Sequence, residues 1–248
     1  VVKREELELW LNDYLKVEEI SDYLPNGLQI EGNGEINKIV TAVSVNYDII
    51  KRAVEEHADA LIVHHGMFWS SDDNTIRGYR KERIKLILEN NLNLFAYHLP
   101  LDVHREISHN ILIVKALDAS VSEGPIGIFG VLGTFQEPVS FEELINRVNR
   151  ALNTEAHYFH YGGDRVRTLY VVSGAGRNEI DKIGALGVDA FLTGDAKEST
   201  EYIARELNLN YIFAGHYNTE RLGVRELGKR VANRFGIEVK FLDIVNPL

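Results

Sequence analysis

The sequence predicts an α/β fold with largely parallel strands. Three observations carry that expectation. Runs rich in β-branched residues alternate with amphipathic segments along the whole chain, and the two halves repeat short strings in the same order. With 45% hydrophobic and 26% charged residues, the 248-residue chain also has the composition to fill a sizeable core. A nominal 150 residues per domain gives about 1.7 domains, so one large or two small domains are expected.

The elements follow in order. Leu7, Trp10, Leu11, Tyr14 and Leu15 recur at three- and four-residue spacing, an amphipathic helix. After the turn-forming Pro25-Asn26-Gly27, Ile39 to Val45 is a β-branched run and predicts a buried strand. Helical spacing resumes at Ile49, Ile50, Ala53 and Val54, before a second strand at Ala60 to Val63. Leu92 to Tyr97 predicts a strand, Ile107 to Leu117 a helix, and Ile126 to Phe135 a glycine-punctuated strand. A helix at Phe141 to Leu152 precedes strands at Glu155 to His160 and Thr168 to Val172. Ala190 to Thr193, Tyr211 to Ala214 and Glu238 to Asp243 complete the strands, with helices between them. Gly124, Pro125, Gly127, Gly130, Gly133 and Pro138 cluster in the least regular region, which suggests a boundary between halves 1–120 and 121–248.

The repeat is visible as strings. Thr41-Ala42-Val43 corresponds to Tyr170-Val171-Val172, Ala58-Asp59-Ala60-Leu61-Ile62 matches Val188-Asp189-Ala190-Phe191-Leu192, and Phe95-Ala96-Tyr97-His98 matches Phe213-Ala214-Gly215-His216. Each matched histidine is followed four residues later by a carboxylate, Asp102 or Glu220. An internal duplication is the simplest source of three matches in one order.

Composition excludes some chemistry. Without cysteine there is no disulfide, no thiolate zinc site and no cysteine nucleophile. No apolar run approaches the roughly 18 residues of a membrane span, and Val1-Val2-Lys3-Arg4 opens a charged helix rather than a signal peptide. A soluble, cytoplasmic chain is expected, with no membrane partner. The net charge of −10 argues against general nucleic-acid affinity. Arg225, Lys229, Arg230 and Arg234 have the spacing of one solvated helix face.

Histidines gather at strand ends. His64-His65-Gly66 closes one strand, and His98 and His216 close two others. In an open parallel sheet the carboxyl ends of strands border the ligand crevice, so these side chains are placed to converge. Imidazole and carboxylate suit zinc, iron, manganese, cobalt or nickel. Neighbours on a strand point to opposite sides, so His64 and His65 are expected to serve different ions. Ser173-Gly174-Ala175-Gly176 follows a strand and opens a helix, an arrangement that can cradle phosphate as well as simply turn the chain. Asp195 and Glu198, beyond another strand end, are candidates for substrate contact or helix capping. His104, His109, His157 and His160 have no such pattern and are expected to be structural.

Several strings together resemble a known family. They are Asp22-Tyr-Leu-Pro-Asn-Gly-Leu-Gln-Ile-Glu-Gly32, His64-His-Gly-Met-Phe-Trp69, His98-Leu-Pro-Leu-Asp102, Gly187-Val-Asp-Ala-Phe-Leu-Thr-Gly194, Gly215-His-Tyr-Asn-Thr-Glu220 and Asp243-Ile-Val-Asn-Pro247. In this combination and order the chain is similar to the dinuclear-metal family of GTP cyclohydrolase 1 type 2 homologs, from about residue 5 onward. The resemblance implies two interlinked α/β domains, a ring-shaped homo-hexamer and two divalent metal ions per chain. It implies His64, His65, Asp102, His216 and Glu220 as ligands, Glu220 as the bridge, and His98 beside the site. Longer members carry an inserted domain for which this chain is too short. The function implied is a metal-dependent hydrolase in which an ion-acidified water attacks a nucleotide or cyclic amide, His98 moving a proton or orienting a ligand. The competing expectation is a metal-stabilised scaffold that presents its ring to protein partners without turnover.

Overall fold

The computed structural model describes residues 1–73, 75–123 and 129–247. The chain begins with β1 (Val2–Lys3), α1 (Arg4–Tyr14), β2 (Gly27–Ile30), β3 (Glu35–Ile36) and β4 (Lys38–Ser44). It continues with α2 (Tyr47–Glu55), β5 (Ala60–His65), α3 (Gly78–Glu89), β6 (Asn93–Ala96) and α4 (Leu99–Asp102). Next come α5 (His109–Ala116), β7 (Ser120–Glu123), β8 (Val131–Ser140), α6 (Phe141–Leu152), β9 (His157–Phe159) and β10 (Arg165–Val172). The last elements are α7 (Ile180–Gly184), β11 (Ala190–Thr193), α8 (Glu198–Glu206), β12 (Asn210–Phe213), α9 (His216–Thr219), α10 (Arg221–Phe235) and β13 (Glu238–Phe241).

The alternation expected from sequence is therefore present, and the fold is mixed α/β. Periodicity does not find α3, because its only buried residue is Ile87 and it carries no apolar stripe. Nor does it find the four-residue strands β2 and β7. The expected strand at Ile126 begins outside the described residues, as do Gly124, Pro125 and Gly127; the strand there is β8. On α10, Arg225, Lys229 and Arg234 are exposed and Arg230 half-buried, as a solvated face requires.

Two compact units divide the chain. The first is Val1–His104 with Gly223–Ile244, and the second is Arg105–Leu222 with Val245–Leu248. The chain thus leaves the first unit, builds the second and returns, and position 120/121 falls inside the second unit.

In the first unit a five-stranded sheet has the order β13-β4-β5-β6-β2, parallel except for β2. All but the ends of β4 and all but the last residue of β5 are buried, as parallel strands covered on both faces require. Ile49, Ile50 and Ala53 of α2 and Ile87 of α3 pack with Val40, Leu61, Val63 and Leu94 of the sheet. Helix α2 starts where Asn46 Oδ1 accepts the Ile49 N–H at 2.9 Å.

In the second unit a six-stranded sheet has the order β7-β8-β10-β11-β12-β9. Its side chains divide strictly by alternation. Leu169, Val171, Ala190, Leu192 and Ile212 face the core built with α5 and α6. Tyr170, Val172, Phe191 and Tyr211 face the core that includes Ile180, Ile183 and Ala204 of α7 and α8.

The duplication is real at the level of hydrogen bonds. In each unit three parallel strands, β4-β5-β6 or β10-β11-β12, end on an antiparallel strand that precedes them in sequence, β2 or β9. Asp59 Oδ2 accepts the Asn37 and Lys38 amides at 2.8 and 3.2 Å. Asp189 Oδ2 accepts the Arg167 and Thr168 amides at 2.9 and 2.8 Å. Asn93 and Asn210 each start the third strand and clasp a loop, accepting from Gly32 or Gly162 and donating to Asn33 or Gly163. Ala60 pairs with Asn93 as Ala190 pairs with Asn210. Counting on from these pairs, the counterpart of His98 is Gly215 rather than His216. The string match Phe-Ala-x-His is one residue out of structural register, and no symmetry links the two histidines.

Candidate metal centre

The ends of two neighbouring parallel strands bring histidines together in the first unit. His64 and His65 are the last residues of β5, and His98 follows β6 at the head of α4. His64 is fully buried, and its Nδ1 lies 2.9 Å from the Tyr97 carbonyl. As the carbonyl can only accept, Nδ1 carries the proton and Nε2 the lone pair. Asp102 Oδ1 lies 3.6 Å from that Nε2. His65 Nδ1 lies 2.9 Å from Ser44 Oγ at the end of β4.

Alternation along a strand predicts that His64 and His65 diverge. Instead their ring centroids are 4.6 Å apart. Each ring is tied to a neighbouring chain segment on one side of β5, His64 to Tyr97 and His65 to Ser44. Ligand atoms of His64, His65 and His98 all lie within 4.8 Å of one another, a group able to hold a metal ion.

His98 is held by a residue that sequence reasoning did not single out. Its Nδ1–H donates to Asp22 Oδ1 at 2.8 Å, and its amide donates to Asn26 Oδ1 at 2.8 Å. Asp22 Oδ2 in turn accepts from the Leu99 amide at 2.8 Å and from Asn26 Nδ2 at 2.9 Å. Burial pushes the Asp22 carboxyl up, but the bonds from His98 and Asn26, the attraction of His98 and the Leu99 amide outweigh it, and it settles at about 2. The only sequence signal was Asp22 and Asn26 inside the turn-forming string before β2. A carboxylate–imidazole pair of this kind fixes the tautomer and aims Nε2 away from its anchor.

The second unit contributes a separate pair. His216 Nε2 lies 3.2 Å from Glu220 Oε1, one turn apart as the His-x-x-x-Glu spacing implies, and Glu220 is 4% exposed. Gly174 is packed against both. A Cβ there would overlap Glu220 Oε1 and lie 3.1 Å from His216 Nε2, and the residue has φ +66°. Gly194 is similarly close, its missing Cβ lying 2.6 Å from the Gly174 carbonyl and 2.7 Å from His216 Cα. Two glycines thus leave room for the imidazole and carboxylate.

The loop expected to cradle phosphate is already hydrogen-bonded. The Ser173 amide donates to Asn110 Oδ1 at 2.7 Å, that of Gly174 to Thr219 Oγ1 at 2.9 Å, and that of Gly176 to Thr193 Oγ1 at 3.0 Å. Asp195 pairs with the Arg177 guanidinium and accepts its amide. Glu198 is exposed at the start of α8 and accepts from the Tyr202 hydroxyl at 3.2 Å.

Three of the histidines expected to be structural have local partners: His104 Nε2 lies 3.1 Å from the Tyr14 carbonyl, His160 stacks on Phe141 at 4.2 Å, and His157 stacks on Phe213 at 5.4 Å. His109 is fully buried in α5 and belongs to a group able to hold a metal ion. Among the described residues no helix is long and apolar enough to cross a membrane.

The donor set suits divalent transition metals: neutral imidazoles with hydrogen-bonded second nitrogens, carboxylates beside them, and glycine where a side chain would intrude. The chain is similar to known proteins along its whole length. A Vibrio cholerae protein named GTP cyclohydrolase 1 type 2 homolog is 40% identical over 248 residues, covering 98% of each chain. The solved structure described as protein ybgI, of unknown function, superposes with a TM-score of 0.96 at 38% identity over all of both chains. The structure of TTHA1606 from Thermus thermophilus does so with a TM-score of 0.93 at 34% identity, again over all of both chains. The family model for Duf34/NIF3 (NGG1p interacting factor 3) matches residues 2–247, and the chain belongs to that family.

Proposed function

We propose that this chain is a dinuclear metal-dependent hydrolase acting on a nucleotide or a cyclic amide. The observation that supports it best is the convergence of His64, His65 and His98 within 4.8 Å at the carboxyl ends of parallel strands. His64, His65, Asp102, His216 and Glu220 would hold two divalent ions, with Glu220 as the shared carboxylate. When bound, the ions supply Lewis acidity to a water and to the bond under attack. The chain supplies orientation and proton handling. The Tyr97 carbonyl and the Asp22 carboxylate fix the His64 and His98 tautomers, so that each offers Nε2 as a base or ligand atom. His98, anchored by an ionised carboxylate, is the residue placed to take a proton from water. A name such as GTP cyclohydrolase 1 type 2 homolog, carried by the relatives, makes ring opening of GTP the first reaction to assay.

Quaternary structure belongs to the same reading: a ring-shaped homo-hexamer, tested by sedimentation for a mass six times that of the chain. The deciding experiment is elemental analysis combined with a turnover screen over nucleotides and cyclic amides, metal by metal. Two equivalents of metal with turnover that Glu220→Gln abolishes is the expected result. Two equivalents without turnover of any substrate would favour the scaffold reading, and no bound metal would sink both.

A further inference from the structure

Beside the histidine cluster, within the first unit, lies a shallow cleft of about 410 Å³. Tyr23, Pro25, Phe68 and Trp69 line it. Its walls are tied together rather than loose. The Ser70 amide donates to the Tyr23 carbonyl at 2.7 Å, the Trp69 amide to Asp72 Oδ2 at 3.2 Å, and the Met67 amide to Gln29 Oε1 at 2.8 Å. The Arg80 guanidinium sits 5.3 Å from the Phe68 ring and braces that side. Trp69 is also the link to the cluster. Its ring lies 5.1 Å from His98 at 80° and 6.0 Å from His65.

These features select a kind of ligand. Flat aromatic walls favour a planar partner, because stacking gains from two π-faces and needs little side-chain ordering. Tyr23, on one wall, is 63% exposed, an area that a stacked ring would cover. An aliphatic chain would gain no stacking from these rings.

Resting on the hydrolase reading above, we propose that this cleft receives a planar heteroaromatic ring of the substrate, the size of a nucleobase. The ring stacks on Trp69 and is thereby delivered to His98 and His65. Trp69 is then a specificity-determining residue.

The chain has two tryptophans, so Trp10→Phe leaves Trp69 as the sole indole reporter. Trp10 lies away from the cleft lining, stacked on Tyr14 at 4.9 Å and edge-on to Phe235 at 5.6 Å, and phenylalanine keeps an aromatic ring there. The W10F protein, metal-replete and chelator-stripped, is titrated with GMP and with ribose 5-phosphate while indole fluorescence is recorded. GMP should quench saturably and ribose 5-phosphate should not. Equilibrium dialysis of GMP should then show W69L binding about 5- to 150-fold more weakly than the parent, with W69F close to the parent. Quenching by both probes alike, equal affinity of W69L, or no response to GMP overturns the subsite. Metal content measured on the same samples separates the two readings. GMP quenching by a protein that binds no metal even after metal-replete preparation supports the cleft and sinks the metal centre, whereas bound metal without quenching sinks only the cleft.

Discussion

A methyl group at position 174 would collide with the Glu220 carboxylate, and the backbone there has φ +66°, where side chains other than glycine are strained. Gly174→Ala is therefore expected to destabilise the chain by roughly 2–4 kcal/mol and to weaken metal binding with it. Urea unfolding of the stripped protein and a metal titration measure the two effects. Parent-like metal affinity in that variant would show that Glu220 is not a ligand. Asp22 is tested by pH. Its carboxyl has an ordinary value of 3.8; burial in the fold raises it, but the bonds from His98 and Asn26 outweigh burial and hold it at about 2. A depressed carboxyl stabilises the folded state above its unfolded value, and that contribution is lost as pH falls through its folded value. The stability gap between the stripped parent and Asp22→Asn should thus be full above about pH 4 and close toward about pH 2. A gap that stays constant across that range would show that the carboxylate charge is not what holds the His98 anchor.

At the scale of elements, the two asparagines that begin β6 and β12 do the same work in different sequence surroundings. Asn93 is fully buried, accepts the Gly32 amide and donates to the Asn33 and Asp59 carbonyls at 2.8, 2.8 and 3.0 Å. Asn210 is equally buried and holds Gly162 and Gly163 at 2.8 and 2.9 Å. Removing either side chain leaves buried backbone groups without their bonds, so Asn93→Ala and Asn210→Ala should each lose roughly 2–3 kcal/mol in urea unfolding. Asn93→Asp should be worse than alanine, since a carboxylate oxygen would face two carbonyls. If alanine at both positions is neutral, these clasps are not what sets the register. The repeat was legible in the sequence because Asp59-Ala60 and Asp189-Ala190 keep both letters and role. Its third part was misaligned because Phe-Ala-x-His is a similarity of letters, whereas register is set by a polar side chain at the strand start. Buried β4 and β5 were legible from unbroken β-branched runs, but α3, with one buried residue, has no period to find. At the site, strand-end position marked His64, His65 and His98. Asp22 stayed hidden because a contact between residues 22 and 98 is set by sheet pairing, not by spacing.

For the whole molecule, metal and stability are one measurement. An ion that binds the folded chain and not the unfolded one stabilises it by about 2.7 kcal/mol at a free concentration 100 times its Kd. In a chain of this size each kcal/mol moves the unfolding midpoint by about 2–4 °C, so removing one such ion should lower Tm by about 5–10 °C. The proposed ligands include the imidazoles of His64, His65 and His216. An imidazole must be deprotonated to ligate, so protons compete with the metal. The sign follows directly: the metal's contribution is largest above the imidazole range and declines as pH falls through about 6. Thermal scans with and without chelator, repeated from about pH 8 down to about pH 5, should therefore converge at the acid end. Elemental analysis of each sample ties the convergence to loss of bound metal. A chelator-induced drop that is the same at both ends of the range would mean that protonation of imidazoles does not govern binding, and that carboxylates alone hold the ions. Scans that coincide at every pH, with metal demonstrably bound before chelation, would mean that the ions do not discriminate folded from unfolded chain, and the two-ion reading would lose its energetic basis.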